Sequence, residues 1–203
     1  LAVTFAAEGA VRTKGEVVFY SSASNVLVRL DPNRAAATTI FANLEVGEGM
    51  QGATALGDTI VFLTTKGRLI AFPADSDRGT SALGTAPANV RDLESFGTNL
   101  YVLTADAPHL LKLPVRDGVL QAAKPWLATT DPISATHFAI DGSIWAAESA
   151  QLLMRLYQGK LANRFTLAGI STSAVQDLET DEDHDLVAIA TVNPSRIIIA
   201  GKD

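Results

Sequence analysis

Five times along the chain an apolar strand, a short polar break and a second apolar strand follow one another at nearly constant spacing. The copies are EVVFYSSASNVLVRL from Glu16, TIVFLTTKGRLIAF from Thr59, NLYVLTADAPHLLKL from Asn99, SIWAAESAQLLMRL from Ser143 and LVAIATVNPSRIIIA from Leu186. Their leading apolar residues, Val17, Ile60, Leu100, Ile144 and Leu186, are separated by 43, 40, 44 and 42 residues. A fixed period of this size predicts a tandem array of supersecondary units. The runs are short and rich in β-branched residues, and Gly or Pro interrupts them, so they predict strands rather than helices.

A short strand with a tight polar turn precedes each pair: GAVRTKG, GATALGD, DLESFGT, THFAIDG and DLETDEDHD. Gly15, Gly57, Gly97 and Gly142 fall at or near these turns, where positive φ is easiest for glycine. The fifth copy has an acidic cluster instead. Fourth strands are expected at 37–44, 119–128 and 163–169. The period also demands one at 81–87, a segment of poor strand propensity. Four strands every 40–45 residues or so is the pattern of a β-propeller blade. The continuous apolar runs suit blades, which bury both faces against their neighbours.

The expected fold is therefore all-β: a five-bladed propeller forming one domain over 1–203, with repeats near 9–51, 52–90, 91–133, 134–175 and 176–203. The last repeat lacks a fourth strand, and LAVTFA (1–6) belongs to no earlier repeat. Leu1–Ala6 is expected to complete the last blade and leave no open edge. The alternative is a segment of a propeller with six or more blades.

The segments DLESFGTNLYVLTADAPHLLKL (92–113), FAIDGSIWAAESAQLLMRL (138–156) and DLETDEDHDLVAIATVNPSRIII (177–199) resemble NHL-type and related bacterial propeller repeats. Members usually carry Asp-x-x-Asn-x-Arg-Ile near the second strand; only Asn193–Ile197 comes close here. The resemblance implies a propeller that serves as an interaction module within a larger protein. Usual members have six blades, from which the count of five departs.

Composition narrows the function. Of 203 residues 47% are hydrophobic and 19% charged, which supplies a core and argues against disorder. The net charge of −6, with no Lys/Arg run, disfavours nucleic acid. The absence of cysteine removes disulfides, thiol nucleophiles and thiolate metal sites. No apolar stretch reaches the ~18 residues of a membrane-spanning helix, so no membrane insertion is expected in this segment. The lack of cysteine, the leading Leu1 and the resemblance together favour an extracytoplasmic setting.

Candidate site residues lie on the innermost strands, which line a propeller's channel. Aligning the repeats places Asp92, Thr136 and Asp177 together, Glu94, Phe138 and Glu179 together, and His137 with Leu93 and Leu178. Asp92, Glu94, His137, Asp177 and Glu179 are the ligand-binding candidates at the channel mouth. Paired carboxylates there could act as acid and base in glycoside hydrolysis. The plainer reading is that these acids end strands and accept backbone hydrogen bonds. Asp181, Asp183 and Asp185 alternate as calcium ligands can, but the glycine and glutamate of such a loop are missing. His109, His137 and His184 fall at non-equivalent positions and predict no zinc site. No nucleophile elbow or phosphate loop is present. Trp145 is expected between blades, and Trp126 at an outer strand where exposure is possible.

The sequence thus predicts a non-catalytic binding or scaffold domain for a protein, peptide or glycan, with no cofactor. The alternative is a glycoside hydrolase-like enzyme using channel carboxylates.

Overall fold

A computed structural model describes residues 9–13, 16–21, 24–31, 36–73, 80–107, 109–128, 133–167, 174–181, 185–192 and 195–202. Among them every regular element is a strand, and the strands form five antiparallel blades arranged as a β-propeller. No described helix is long and apolar enough to cross a membrane.

The first blade holds β1 (Gly9–Thr13), β2 (Glu16–Ser21), β3 (Val26–Asp31) and β4 (Ala36–Phe41), in that order. The second holds β5 (Met50–Leu56), β6 (Thr59–Thr64), β7 (Arg68–Pro73) and β8 (Ser81–Thr85). In the third, β9 (Val90–Phe96), β10 (Asn99–Thr104) and β11 (Leu110–Arg116) are followed by β12 (Val119–Leu120) and β13 (Lys124–Pro125), which both pair with β11. The fourth runs β14 (His137–Ile140), β15 (Ile144–Ser149), β16 (Leu152–Tyr157) and β17 (Lys160–Thr166). The fifth has β18 (Ala174–Asp181), β19 (Leu186–Val192) and β20 (Arg196–Gly201).

Each sheet is a meander of adjacent antiparallel strands, the pairing that short hairpin turns allow. The turn after β5 has Gly57 at φ +60°, and that after β9 has Gly97 at the same angle. Asp185, directly before β19, is left-handed at φ +53°. The expected completion of the last blade by Leu1–Ala6 lies outside the described residues. Among those residues β20 is the edge of its sheet, and its Ile197 and Ile199 are exposed.

The chain comprises two compact units. The first contains 1–88, 97–100 and 114–122; the second contains 89–96, 101–113 and 123–203. In the first, Val18, Tyr20, Leu27 and Ile40 of the first blade pack with Ile60, Phe62 and Phe72 of the second. The Tyr20 and Phe62 rings meet edge-on, 5.6 Å apart. In the second unit the alternation of β15 divides its side chains between two neighbours. Ile144 and Ala146 join Tyr101, Leu103 and Leu110, whereas Trp145 and Ala147 join Leu178, Val187 and Ile189. This division is why the strand reads as one continuous apolar run: both of its faces are core.

Fourth strands differ most from expectation. The segment 81–87 does contain a strand, β8. The segment 119–128 breaks into two short pieces, with 121–123 between them. Trp126, just beyond, is half-buried against the core rather than displayed on the surface.

Candidate functional site

The predicted site residues all fall in the second unit, on β9, β14 and β18, and β14 packs against both of the others. Alternation along a strand puts Asp92 and Glu94 on one side of β9, with Leu93 buried on the other. Asp177 and Glu179 flank buried Leu178 in the same way on β18.

On β14 Phe138 and Ala139 are both buried, and Phe138, opposite Ala146, faces the third blade as Leu178, opposite Ile189, faces the fourth. Phe138 therefore takes the place of Leu93 and Leu178, and His137 falls in line with Asp92 and Asp177. The alignment of the repeats in the sequence is one residue off at this blade. Counting back equally from Leu100 and Ile144 shifts the strand by one position, because four residues separate the paired Ala55 and Ile60 but only three separate Ile140 and Ile144.

Asp92 has a definite structural task. Its Oδ1 accepts the Leu93 amide at 2.9 Å, and its Oδ2 accepts the Phe138 amide, also at 2.9 Å. The second bond crosses from β9 to β14, and Arg91 Nη1 adds another by donating to the Ala135 carbonyl at 3.0 Å. Asp177 repeats half of the motif, accepting the Leu178 amide at 2.9 Å. The Asp-Leu dipeptide at 92–93 and again at 177–178 was the sequence signal for this anchoring. Arg91 carried no such signal. His137 Nδ1 lies 3.1 Å from Thr136 Oγ1.

The electrostatics join these residues into one cluster. Desolvation raises the Asp92 carboxyl to about 7, against the pull of its two backbone donors, with the charges of Asp177 and Glu179 adding to the rise. Desolvation also lifts Glu94 well above the usual carboxylate range, helped by Asp92, Glu179 and Asp177. Glu179 is raised to about 6, by desolvation first and by Asp177 second. Burial lowers His137, while Asp177 opposes that shift. Among the described residues no Lys or Arg pairs with Asp92, Asp177 or Glu179. The cluster therefore holds more acid than it can ionise at once, and its protons can be displaced by an external positive charge.

A raised folded-state pKa means that the folded form binds protons more tightly than the unfolded chain. The resulting stabilisation is complete below about pH 4 and is lost as pH rises through 6 to 7. The melting temperature is expected to fall between about pH 5 and about pH 8. Glu94→Gln/Glu179→Gln should flatten the fall. An equally steep fall in that variant would show that other groups cause it.

Of the proposed calcium ligands, Asp183 lies outside the described residues. Asp181 contributes its backbone carbonyl to Lys202 Nζ at 2.9 Å. Among the described residues no three of His, Asp and Glu are grouped so as to hold a metal ion. His109 directly precedes β11, with Nδ1 3.4 Å from the Thr104 carbonyl oxygen. His184 lies outside the described residues.

No protein-family model matches the chain, and no curated protein matches it. Solved β-propeller structures do. The β-propeller domain of Cps50 (Swd1) from Myceliophteria thermophila is 17% identical with a TM-score of 0.61, over 91% of this chain and 65% of that one. A chain of a nidogen/laminin complex is 13% identical with a TM-score of 0.67, over 95% and 74%. A gluconolactonase from Xanthomonas campestris is 15% identical with a TM-score of 0.65, over 95% and 71%. The chain thus spans less than two thirds of the first of these. At such identities the likeness carries the fold alone.

Proposed function

We propose that this propeller is a non-catalytic binding domain that receives a cationic side chain, Lys or Arg, of a protein or peptide at Glu94 and Glu179. The observation that carries this reading is the set of four carboxyl groups on β9 and β18, three of them raised by burial and mutual repulsion. An incoming ammonium or guanidinium relieves that repulsion and lets the acids ionise. Asp92, with both oxygens on backbone amides, positions β14 rather than meeting the ligand. One of the similar structures, a nidogen/laminin complex, supports an interaction role. The NHL-like repeat character and the extracytoplasmic setting belong to the same proposal.

Binding should favour lysine- and arginine-bearing peptides over acidic ones in a peptide-array screen at low salt. It should strengthen as pH rises through 6 to 7, where Glu179 and Asp92 release their protons. Glu94→Gln/Glu179→Gln is expected to weaken binding about tenfold or more, because a desolvated charge pair is lost. Equal retention of basic and acidic peptides, or unchanged binding by the double variant, would refute the proposal.

The gluconolactonase among the similar structures favours keeping one second reading, hydrolysis by the same carboxyl groups. A panel of sugar lactones and chromogenic glycosides tests it. Turnover abolished by Glu94→Gln or Glu179→Gln would replace the binding reading.

A further inference from the structure

The second unit contains a recess that the carboxyl cluster does not use. The β14–β15 turn, Arg155 and Tyr157 of β16, and Lys202 after β20 surround a cavity of about 520 Å³. That volume suits a small organic ligand, for which pockets of about 300–1,000 Å³ are usual.

Two cations line the recess, and they differ. Lys202 is committed. Its Nζ lies 2.6 Å from Asp141 Oδ2 and donates to the Asp181 carbonyl at 2.9 Å. Asp141 in turn accepts the Trp145 indole N–H and the Ser143 amide, each at 3.0 Å. The Asp141–Lys202 pair has no net charge.

Arg155 is held but not neutralised. Its Nε donates to Ser143 Oγ at 3.0 Å, and its guanidinium lies over the Trp145 ring, 5.6 Å from the centroid. Among the described residues no carboxylate pairs with it. The hydroxyl and the indole fix the plane of the group and leave its two Nη atoms uncommitted, a pre-organised fork for a planar oxyanion. Asp185 also lines the recess, so a doubly charged phosphate is repelled more than a singly charged carboxylate.

We propose that this recess binds a small molecule through its carboxylate, gripped by Arg155. The test is NMR titration of the whole chain with D-glucuronate and with N-acetyl-alanyl-alanine, using their methyl esters and inorganic phosphate as controls. The readout is the Trp145 indole N–H resonance, identified by the loss of its only counterpart in Trp126→Phe. The free acids should shift this resonance saturably, whereas the esters and phosphate should not. Whichever acid binds more tightly distinguishes a saccharide carboxylate from a peptide C-terminus.

Arg155→Lys keeps a charge and a stem over Trp145 but loses the fork, and should weaken binding about tenfold. Arg164→Met, at an exposed position of β17, should not affect it. Arg155→Met should abolish binding, and if that variant does not fold the lysine variant decides. The proposal is overturned if neither acid shifts the resonance, if esters or phosphate bind as tightly as the acids, or if Arg155→Lys binds like the parent chain.

Discussion

Replacing Trp145 with alanine is expected to destabilise the protein by about 3–5 kcal/mol in chemical denaturation, as for other buried large-to-small changes. The indole is fully buried on β15 among Leu153, Leu178, Val187 and Ile189. It packs on Phe165 with ring centroids 5.8 Å apart, and its N–H is bonded to Asp141. Alanine leaves a cavity walled by two blades and removes one of the donors that hold Asp141. Trp145→Phe retains most of the apolar volume and should cost clearly less. A loss below about 1 kcal/mol for the alanine variant would contradict the packing described for this strand.

Arg68→Met should cost a similar amount, about 3–5 kcal/mol near neutral pH, because it strands a buried charge. Arg68 donates through Nε to Glu48 Oε1 at 2.9 Å and through Nη2 to Oε2. The Glu48 side chain has no exposed surface. Its carboxyl is held at about 2, chiefly by the Arg68 hydrogen bond and against the cost of desolvation. A depressed folded-state pKa gives stability that is present above the unfolded value of 4.5 and lost as pH falls toward 2. In Arg68→Met, by contrast, acid should reduce the penalty, since a protonated Glu48 no longer needs a cation. The double change Glu48→Gln/Arg68→Met should be much milder than Arg68→Met alone, which a double-mutant cycle measures directly. An additive cycle would mean that the pair is not coupled.

Most of the fold was legible because hairpin order and apolar runs are local properties. The second and third strands of each blade are continuous apolar segments, and β15 shows the reason, with Ile144 and Trp145 facing different neighbours. Features set by tertiary contact were harder to read. The strand β8 contains Gly84, unfavourable by propensity, yet a Cβ there would stand 2.8 Å from Leu120 Cδ2. Close approach to Leu120 requires the missing side chain and overrides propensity. The site residues were legible as a repeated acid-Leu-acid pattern, but their grouping was obscured by the connection between Ile140 and Ile144, one residue shorter than that between Ala55 and Ile60. The recess around Arg155 left no pattern at all, since Asp141 and Lys202 meet only through folding.

The central claim is that acids from β9 and β18 share one environment in which desolvation and mutual repulsion disfavour ionising them all. Side-chain carboxyl ¹³C titration of the intact chain measures this directly. Asp92 should titrate near 7, Glu179 near 6 and Glu94 well above the ordinary glutamate range, with Glu94→Gln lowering the other two. Three independent transitions at ordinary carboxylate values, unmoved by that substitution, would contradict the account.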